Sequence, residues 1–339
     1  MKAVLVGCGG ISRAWLEGTA EVGGVELVGL VDLNEENAQK RQAEYAPNAR
    51  VGTDLVEMLE QTQPDIVFDC TVPAAHFEVV TTALEHGCHV LGEKPMADTL
   101  ERAKRMVRTA QAAGKLFVVM QNWRYTHTIR RLKRFLETDP IGTLTGIHAD
   151  FFIGAHFGGF RERMAHVLLT DMAVHTFDAA RFLTGQAPKN VYATEWNPAG
   201  SWYSRDAAAA ALFEMTNGVV FTYRGSWSAE GLRTSWEGVW RIVGTKGSIL
   251  WDGDEMRCEV VADESSTSFL REYETVPVPY YDDVTTRPEG HAAVIQALLK
   301  GLENGTTPET VCTDNLKSLA MVYGAVESAE KGEKVAIML

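Results

Sequence analysis

Apolar residues in the first 120 positions come as short continuous runs set between amphipathic stretches. The runs are Lys2–Val6, Val25–Val31, Arg50–Gly52, Asp65–Cys70, His89–Gly92 and Leu116–Met120. A short run without alternation suits a parallel strand covered on both faces. The stretches between them predict helices: from the glycine turn after Val6 through Val22, Glu35–Tyr45, a segment capped by Asp54 and running to Gln61, one opened by Thr71–His76, and one capped at Ala97-Asp98, running to Ala113 and stopped by Gly114. Six strands alternating with helices predict a doubly wound parallel sheet of order 3-2-1-4-5-6.

The texture changes beyond Gln121. Thr128–Thr138 reads as a helix, Thr143–Phe152 as a strand, Gly154–His166 as a loop rich in Gly, His and Arg, and Leu168–Leu183 as an apolar helix ended by Gly185. Alternating runs follow at Val191–Trp196, Ala207–Met215, Val219–Trp227, Ser235–Val243, Ser248–Trp251, Arg257–Ala262 and Leu270–Pro277. Thr216-Asn217-Gly218 and Gly244-Thr245-Lys246-Gly247 are hairpin signals between them. Two helices close the chain, about Glu289–Asn304 and Asp314–Lys331. The pattern predicts an α/β protein of two domains: residues 1–122 with a Rossmann doubly wound sheet, and residues 123–339 with a large, mostly antiparallel open sheet.

Composition narrows the function. The 339 residues exceed what one core usually serves, and 45% hydrophobic with 23% charged residues is an ordinary globular mix. A net charge of −13 leaves no basic stripe for nucleic acid. The first residues form neither a signal peptide nor a membrane span. Five cysteines without Cys-x-x-Cys spacing suit reduced thiols in a cytoplasmic protein. A sheet face of this size is relieved by self-association, so a homodimer or homotetramer is expected.

Chemistry concentrates in three places. Gly7-Cys8-Gly9-Gly10-Ile11-Ser12 joins the first strand to a helix, as Gly-x-Gly-x-x-Ser; glycines let the backbone approach a pyrophosphate seated at the helix N-terminus. Asp32 ends the second strand, where a carboxylate receives the ribose hydroxyls of NAD and repels the extra phosphate of NADP. The fifth strand delivers Glu93-Lys94-Pro95 to the sheet edge where open α/β folds keep their ligand crevice. On the helix Leu168–Leu183, Asp171, His175 and Asp178 share one stripe. Three readings stand there: a structural polar cluster, a metal site, and a general acid/base with its carboxylate partner. Trp202 and Trp227 are candidates to stack on a sugar ring.

Taken together, the Gly7–Ile11 turn, Asp32, Thr71–His76, Glu93-Lys94-Pro95, Asn122-x-Arg124 and Asp171-x3-His175-x2-Asp178 resemble the GFO/IDH/MocA oxidoreductases, the family of glucose-fructose oxidoreductase and inositol 2-dehydrogenase. The resemblance implies NAD, with Gly7, Gly9, Gly10, Ile11, Asp32, Thr71, Pro73, His76, Glu93 and Lys94 around it, and no metal. It implies hydride transfer to or from a sugar, polyol or sugar acid, with Lys94, Asp171 and His175 catalytic. Arg124, Arg161, Arg163 and His166 are the candidate substrate contacts. The approach to Asp171, through His166-Val167-Leu168-Leu169-Thr170, departs from the glycines usual in the family. Two other readings are a dinucleotide sensor without turnover and an enzyme that oxidises transiently to give epimerisation or elimination.

Overall fold

The six early apolar runs pair into one parallel sheet. The computed structural model describes residues 1–339. Strands β1 (Lys2–Val6), β2 (Glu26–Val31), β3 (Arg50–Gly52), β4 (Ile66–Asp69), β5 (His89–Gly92) and β6 (Phe117–Val119) lie in the order β3-β2-β1-β4-β5-β6. Helices α1 (Ser12–Val22), α2 (Glu35–Tyr45), α3 (Leu55–Thr62), α4 (Pro73–Glu85) and α5 (Leu100–Ala113) connect them. Val6 lies opposite both Val31 and Asp69, and Gly92 opposite Asp69 and Val119. The register therefore brings the glycine turn, Asp32, Thr71 and Lys94 to one edge of the sheet. Gly7 is required there: its φ is +89°, and a Cβ would lie 2.7 Å from the Cys70 carbonyl carbon. The cap of α5 is Thr99, whose hydroxyl accepts the Arg102 N–H at 3.2 Å; Asp98, expected as the cap, pairs with the Arg102 guanidinium instead.

The later runs form a second sheet. The elements beyond the first sheet include, in chain order, α6 (His127–Leu136), β7 (Leu144–Phe152), a 3₁₀ turn (Arg161–Arg163), a π-helical segment (Leu168–Ala173), α7 (Val174–Thr184), β8 (Pro188–Trp196), β9 (Ala208–Met215), β10 (Val220–Ser226), β11 (Val239–Gly244), β12 (Gly247–Trp251), β13 (Met256–Val261), β14 (Tyr273–Val276), α8 (Asp282–Thr285), α9 (Gly290–Asn304), α10 (Cys312–Lys331) and β15 (Val335–Ala336). The nine strands run β14-β13-β12-β11-β7-β10-β9-β8-β15. Only β7 and β10 pair in parallel. The β9–β10 hairpin turns through Asn217 and Gly218, both with positive φ, as the turn signal requires. The Ser235–Val243 run is shorter than expected as a strand, because Ser235–Gly238 makes a turn and Gly238 sits at φ +84°.

Along one face of this sheet Phe213, Phe221, Trp240 and Trp251 stack in a row, with centroids 5.5, 6.4 and 6.2 Å apart. Phe177 of α7 inserts edge-on against Phe213, Phe221 and Tyr223 at 4.8, 5.8 and 5.3 Å. Such aromatic contacts fix both depth and rotation of a helix, and α7 carries His175 two residues before its anchor.

By compactness the chain divides into one unit of residues 1–126 with 286–319 and another of 127–285 with 320–339. This differs from the contiguous division at 122/123. The reason lies in packing: Val294, Ile295, Leu298 and Leu299 of α9 share the core of the first unit with Leu5, Trp15 and Leu16.

Candidate active site

In the first unit the glycine turn forms a cradle. A Cβ on Gly9 or Gly10 would meet no atom within 4 Å, so both backbones face open space. The N–H groups of Gly9, Gly10 and Ile11 find no acceptor within the protein, and Ile11 at the start of α1 provides no capping side chain. Asp32 Oδ2 accepts the Cys8 N–H at 2.7 Å, while Oδ1 accepts the Asn34 N–H at 2.8 Å and faces the Asn37 amide at 3.3 Å. Beside the turn lies a cleft of about 530 Å³, lined among others by Gly7, Gly9, Asp32, Leu33, Val56, Thr71 and Val72. Leu33 is 96% exposed at its rim. Apolar walls, free N–H donors and a carboxylate at the strand end fit a dinucleotide: base in the cleft, diphosphate on the turn, ribose beside Asp32.

Neighbouring residues prove to be supports. His76 is 1% exposed, and its two ring nitrogens lie 2.9 Å from the Pro95 carbonyl and 3.0 Å from the Thr71 carbonyl. It ties the head of α4 to the Glu93-Lys94-Pro95 turn. Glu93 is buried as well; its Oε1 accepts the Trp15 indole N–H at 2.7 Å and its Oε2 the Lys94 N–H at 3.0 Å. Burial alone would raise the Glu93 carboxyl, but His291, the Lys94 charge and Trp15 outweigh it and hold it below its ordinary range. Glu93 thus fixes the backbone that presents Lys94. Thr71 donates its hydroxyl to Asp69 Oδ1 at 2.5 Å, and Pro73 is the first residue of α4. Arg124 is 5% exposed, pairs with Asp314 at 2.8 Å and donates to the Glu309 carbonyl. It ties Asn122–Tyr125 to the segment 309–314.

In the second unit Asp171 lies within the π-helical segment and His175 in the first turn of α7, where one continuous α-helix was expected. Single π turns concentrate at functional sites. Asp171 and His175 are 8% and 6% exposed. Asp171 Oδ2 accepts the Arg161 Nε–H at 3.0 Å, and the guanidinium rests between the rings of Phe157 and Phe160 at 5.2 and 5.0 Å. Asp178 is buried beside Arg181, with 3.7 Å between charged atoms. No group of three or more His, Cys, Asp or Glu side chains is placed to hold a metal.

The approach loop is anchored rather than open. His166 has φ +53°, and its ring lies between Glu195 Oε2 at 2.6 Å and Glu330 Oε1 at 3.5 Å. Its carbonyl accepts the Thr170 N–H and hydroxyl, both at 2.9 Å, and so starts the segment that carries Asp171. The Glu195 hydrogen bond raises the His166 imidazole above its ordinary value despite burial. These contacts make His166 a clasp on the approach loop. Arg163 is exposed on the same loop. Trp227 is buried among Phe151, Phe157 and Trp236, out of reach of a sugar ring, and Trp202 is covered by the stacked ring of His156 at 3.7 Å. Tyr203 donates its hydroxyl to the Ala155 carbonyl at 2.7 Å, and burial, with the nearby Asp171 charge adding, pushes its phenol up to about 12.

Sequence reasoning missed Glu195, Trp15, His291 and Arg41. The first three act across 29, 78 and 198 positions of sequence respectively, and nothing local marks them. Arg41 sits in the middle of α2, whose one buried residue is Ala38, so it reads as part of a solvated face.

Known proteins agree with this architecture. Residues 1–121 match the oxidoreductase family model with an NAD-binding Rossmann fold, and residues 129–250 match the C-terminal domain of the same family. A D-apiose dehydrogenase of Paraburkholderia graminis is 27% identical over 98% of this chain and 89% of its own. A 1,5-anhydro-D-fructose reductase of Ensifer adhaerens is 24% identical over 98% of this chain and 97% of its own. The structure of an oxidoreductase from Agrobacterium radiobacter, solved with NAD+, L-tartaric acid and magnesium, superposes with a TM-score of 0.86 at 24% identity, covering 99% of this chain and 98% of that one. With both halves matched and a dinucleotide cradle in the first unit, the chain belongs to the GFO/IDH/MocA family of NAD-binding oxidoreductases.

Proposed function

We propose that this protein is an NAD-dependent dehydrogenase acting on a hydroxyl-bearing carbon of a sugar, polyol or sugar acid. The observation that carries the reading is the buried Asp171–His175 pair on one helical segment, in a chain whose first unit presents a dinucleotide cradle. The names of its full-length relatives, which act on apiose and on anhydrofructose, supply the substrate class.

NAD, when bound, supplies the hydride acceptor at its nicotinamide. His175 removes the proton of the substrate hydroxyl at an imidazole nitrogen, the usual task of a positioned base. Lys94 is the proposed source of positive charge for the developing alkoxide, the kind of fixed electrostatic stabilisation that lowers such barriers most. Asp171, itself oriented by Arg161, accepts a hydrogen bond from the substrate and holds it for transfer. Arg163 is the candidate reader of a substrate carboxylate, since its guanidinium is exposed.

The five thiols are unpaired, which supports a reducing compartment such as the cytoplasm, and no helix is long and apolar enough to cross a membrane. Tyr192, Trp196 and Leu212 are exposed on the second sheet, which supports a homodimer or homotetramer, a state that light scattering on the purified protein would measure.

The test is a panel of polyols, aldoses, uronates and glycosides, read by NADH absorbance and by product mass. Formation of NADH with one oxidised product is expected. A changed product without net NADH would replace the dehydrogenase reading with transient oxidation, and binding without any turnover across the panel would favour a sensor.

A further inference from the structure

The glycine turn is held from both sides by side chains of opposite charge. On one side Asp32 accepts the Cys8 N–H at 2.7 Å. On the other, Arg41 of α2 donates from Nη2 to the Gly9 carbonyl at 3.1 Å and from Nε to the Ser12 hydroxyl at 3.0 Å. Ser12 in turn donates its hydroxyl to the same Gly9 carbonyl at 2.6 Å. Ser12 is fully buried, and the Arg41 side chain is largely withdrawn from solvent although α2 is otherwise an exposed, polar helix.

Ser12 occupies the place of the third glycine in a Gly-x-Gly-x-x-Gly pattern. A glycine there would leave Arg41 only the carbonyl to hold. With serine, guanidinium, hydroxyl and carbonyl close a small ring of hydrogen bonds on the back of the turn. The front then presents the unpaired N–H groups of Gly9, Gly10 and Ile11. Glu44 pairs with Arg41 at 2.7 Å, so the cation is largely neutralised. Its effect on an incoming diphosphate is therefore geometric more than attractive.

We propose that Arg41, acting through Ser12 and the Gly9 carbonyl, is a positioning residue that presets the turn for the diphosphate of the dinucleotide. The inference rests on the NAD-binding assignment of the family and not on the choice of substrate, because it is tested by binding alone.

The experiment measures dissociation constants of NADH by fluorescence, and of ADP-ribose and adenosine by displacement of NADH, without substrate. For Arg41→Ala a loss of ~10-fold or more is expected for NADH and ADP-ribose, the usual worth of hydrogen bonds to a charged group, and little change for adenosine, which lacks the diphosphate. KM for NAD should follow while kcat stays near that of the parent. Ser12→Ala should give part of the loss, and the double variant little beyond Arg41→Ala, as expected of groups that act as one unit. Arg41→Lys should recover less than half of the effect, because an ammonium lacks the planar fork. Arg41→Gln serves as the second variant if the alanine form does not fold. Parent-like affinity for NADH and ADP-ribose in either folded variant overturns the proposal. So does an equal loss for adenosine, which would mark a general disturbance.

Discussion

Arg161 donates its Nε–H to Asp171 Oδ2 at 3.0 Å, from ten residues earlier in the chain. The guanidinium is therefore committed to the carboxylate that the proposed reaction uses. Arg161→Ala should lower kcat/KM for neutral and anionic substrates alike, by ~10- to ~100-fold, since a charge-assisted hydrogen bond is lost. Arg163→Ala should raise KM for anionic substrates alone. A loss in Arg161→Ala restricted to anionic substrates would mean that the link to Asp171 is idle.

Lys94→Ala should cost ~10²–10³ in kcat, as deleting one oxyanion donor does, with NADH affinity little changed. His175→Ala should cost ~10²–10⁴ and remove its limb of the pH–rate profile. Steady-state kinetics on one working substrate measure both. Parent-like kcat in Lys94→Ala would reduce that lysine to a turn residue.

We expect Asp32 to set the choice of dinucleotide. Its carboxylate is locked by Cys8 and Asn34, and Glu35 and Glu36 begin the next helix without a compensating cation. We expect NAD to be preferred over NADP by at least ~10²-fold in kcat/KM, about 2.7 kcal/mol. Asp32→Ala should narrow that gap, and equal use of both cofactors by the parent would withdraw the ribose assignment.

The His166 clasp makes stability depend on pH. Its imidazole is raised, chiefly by the hydrogen bond to Glu195, so the charged form stabilises the fold below the ordinary histidine value of about 6.5. That contribution is lost as pH rises through the raised value. Glu195 is also raised, by burial, and its ionisation acts in the same sense. Urea midpoints should fall between pH ~6 and pH ~8.5, and fall less in His166→Asn. An equal fall in both proteins would assign the dependence to other groups.

Much of the fold is legible because parallel strands and glycine turns write themselves locally. The runs at Lys2–Val6 and His89–Gly92, and the helix Glu35–Tyr45, appear within the bounds that their residues predict. The local geometry of the candidate site is legible too: the Gly7–Ile11 turn joins β1 to α1, and Asp32 follows β2 directly. What the sequence does not show is which side chains find partners far along the chain. Nothing local in the sequence announces that Arg124 pairs with Asp314 or His166 with Glu195. The two carbonyls that enclose the His76 ring are likewise invisible in the sequence. Arg41 is the converse, a residue of unremarkable position whose length lets it reach back to the turn.

The return of residues 286–319 to the first unit has a consequence for biosynthesis. Trp15 is fully buried, and α9 supplies four aliphatic side chains to the core around it. When a ribosome has released only the first 126 residues, that apolar surface has no cover. The N-terminal unit must wait, partly formed, until almost the whole chain has emerged, and the intervening unit folds first or alongside it. The nascent chain is then a natural client for chaperones that shield apolar surface, and a gene fragment ending at residue 126 should yield aggregated protein where the complete gene yields a folded one.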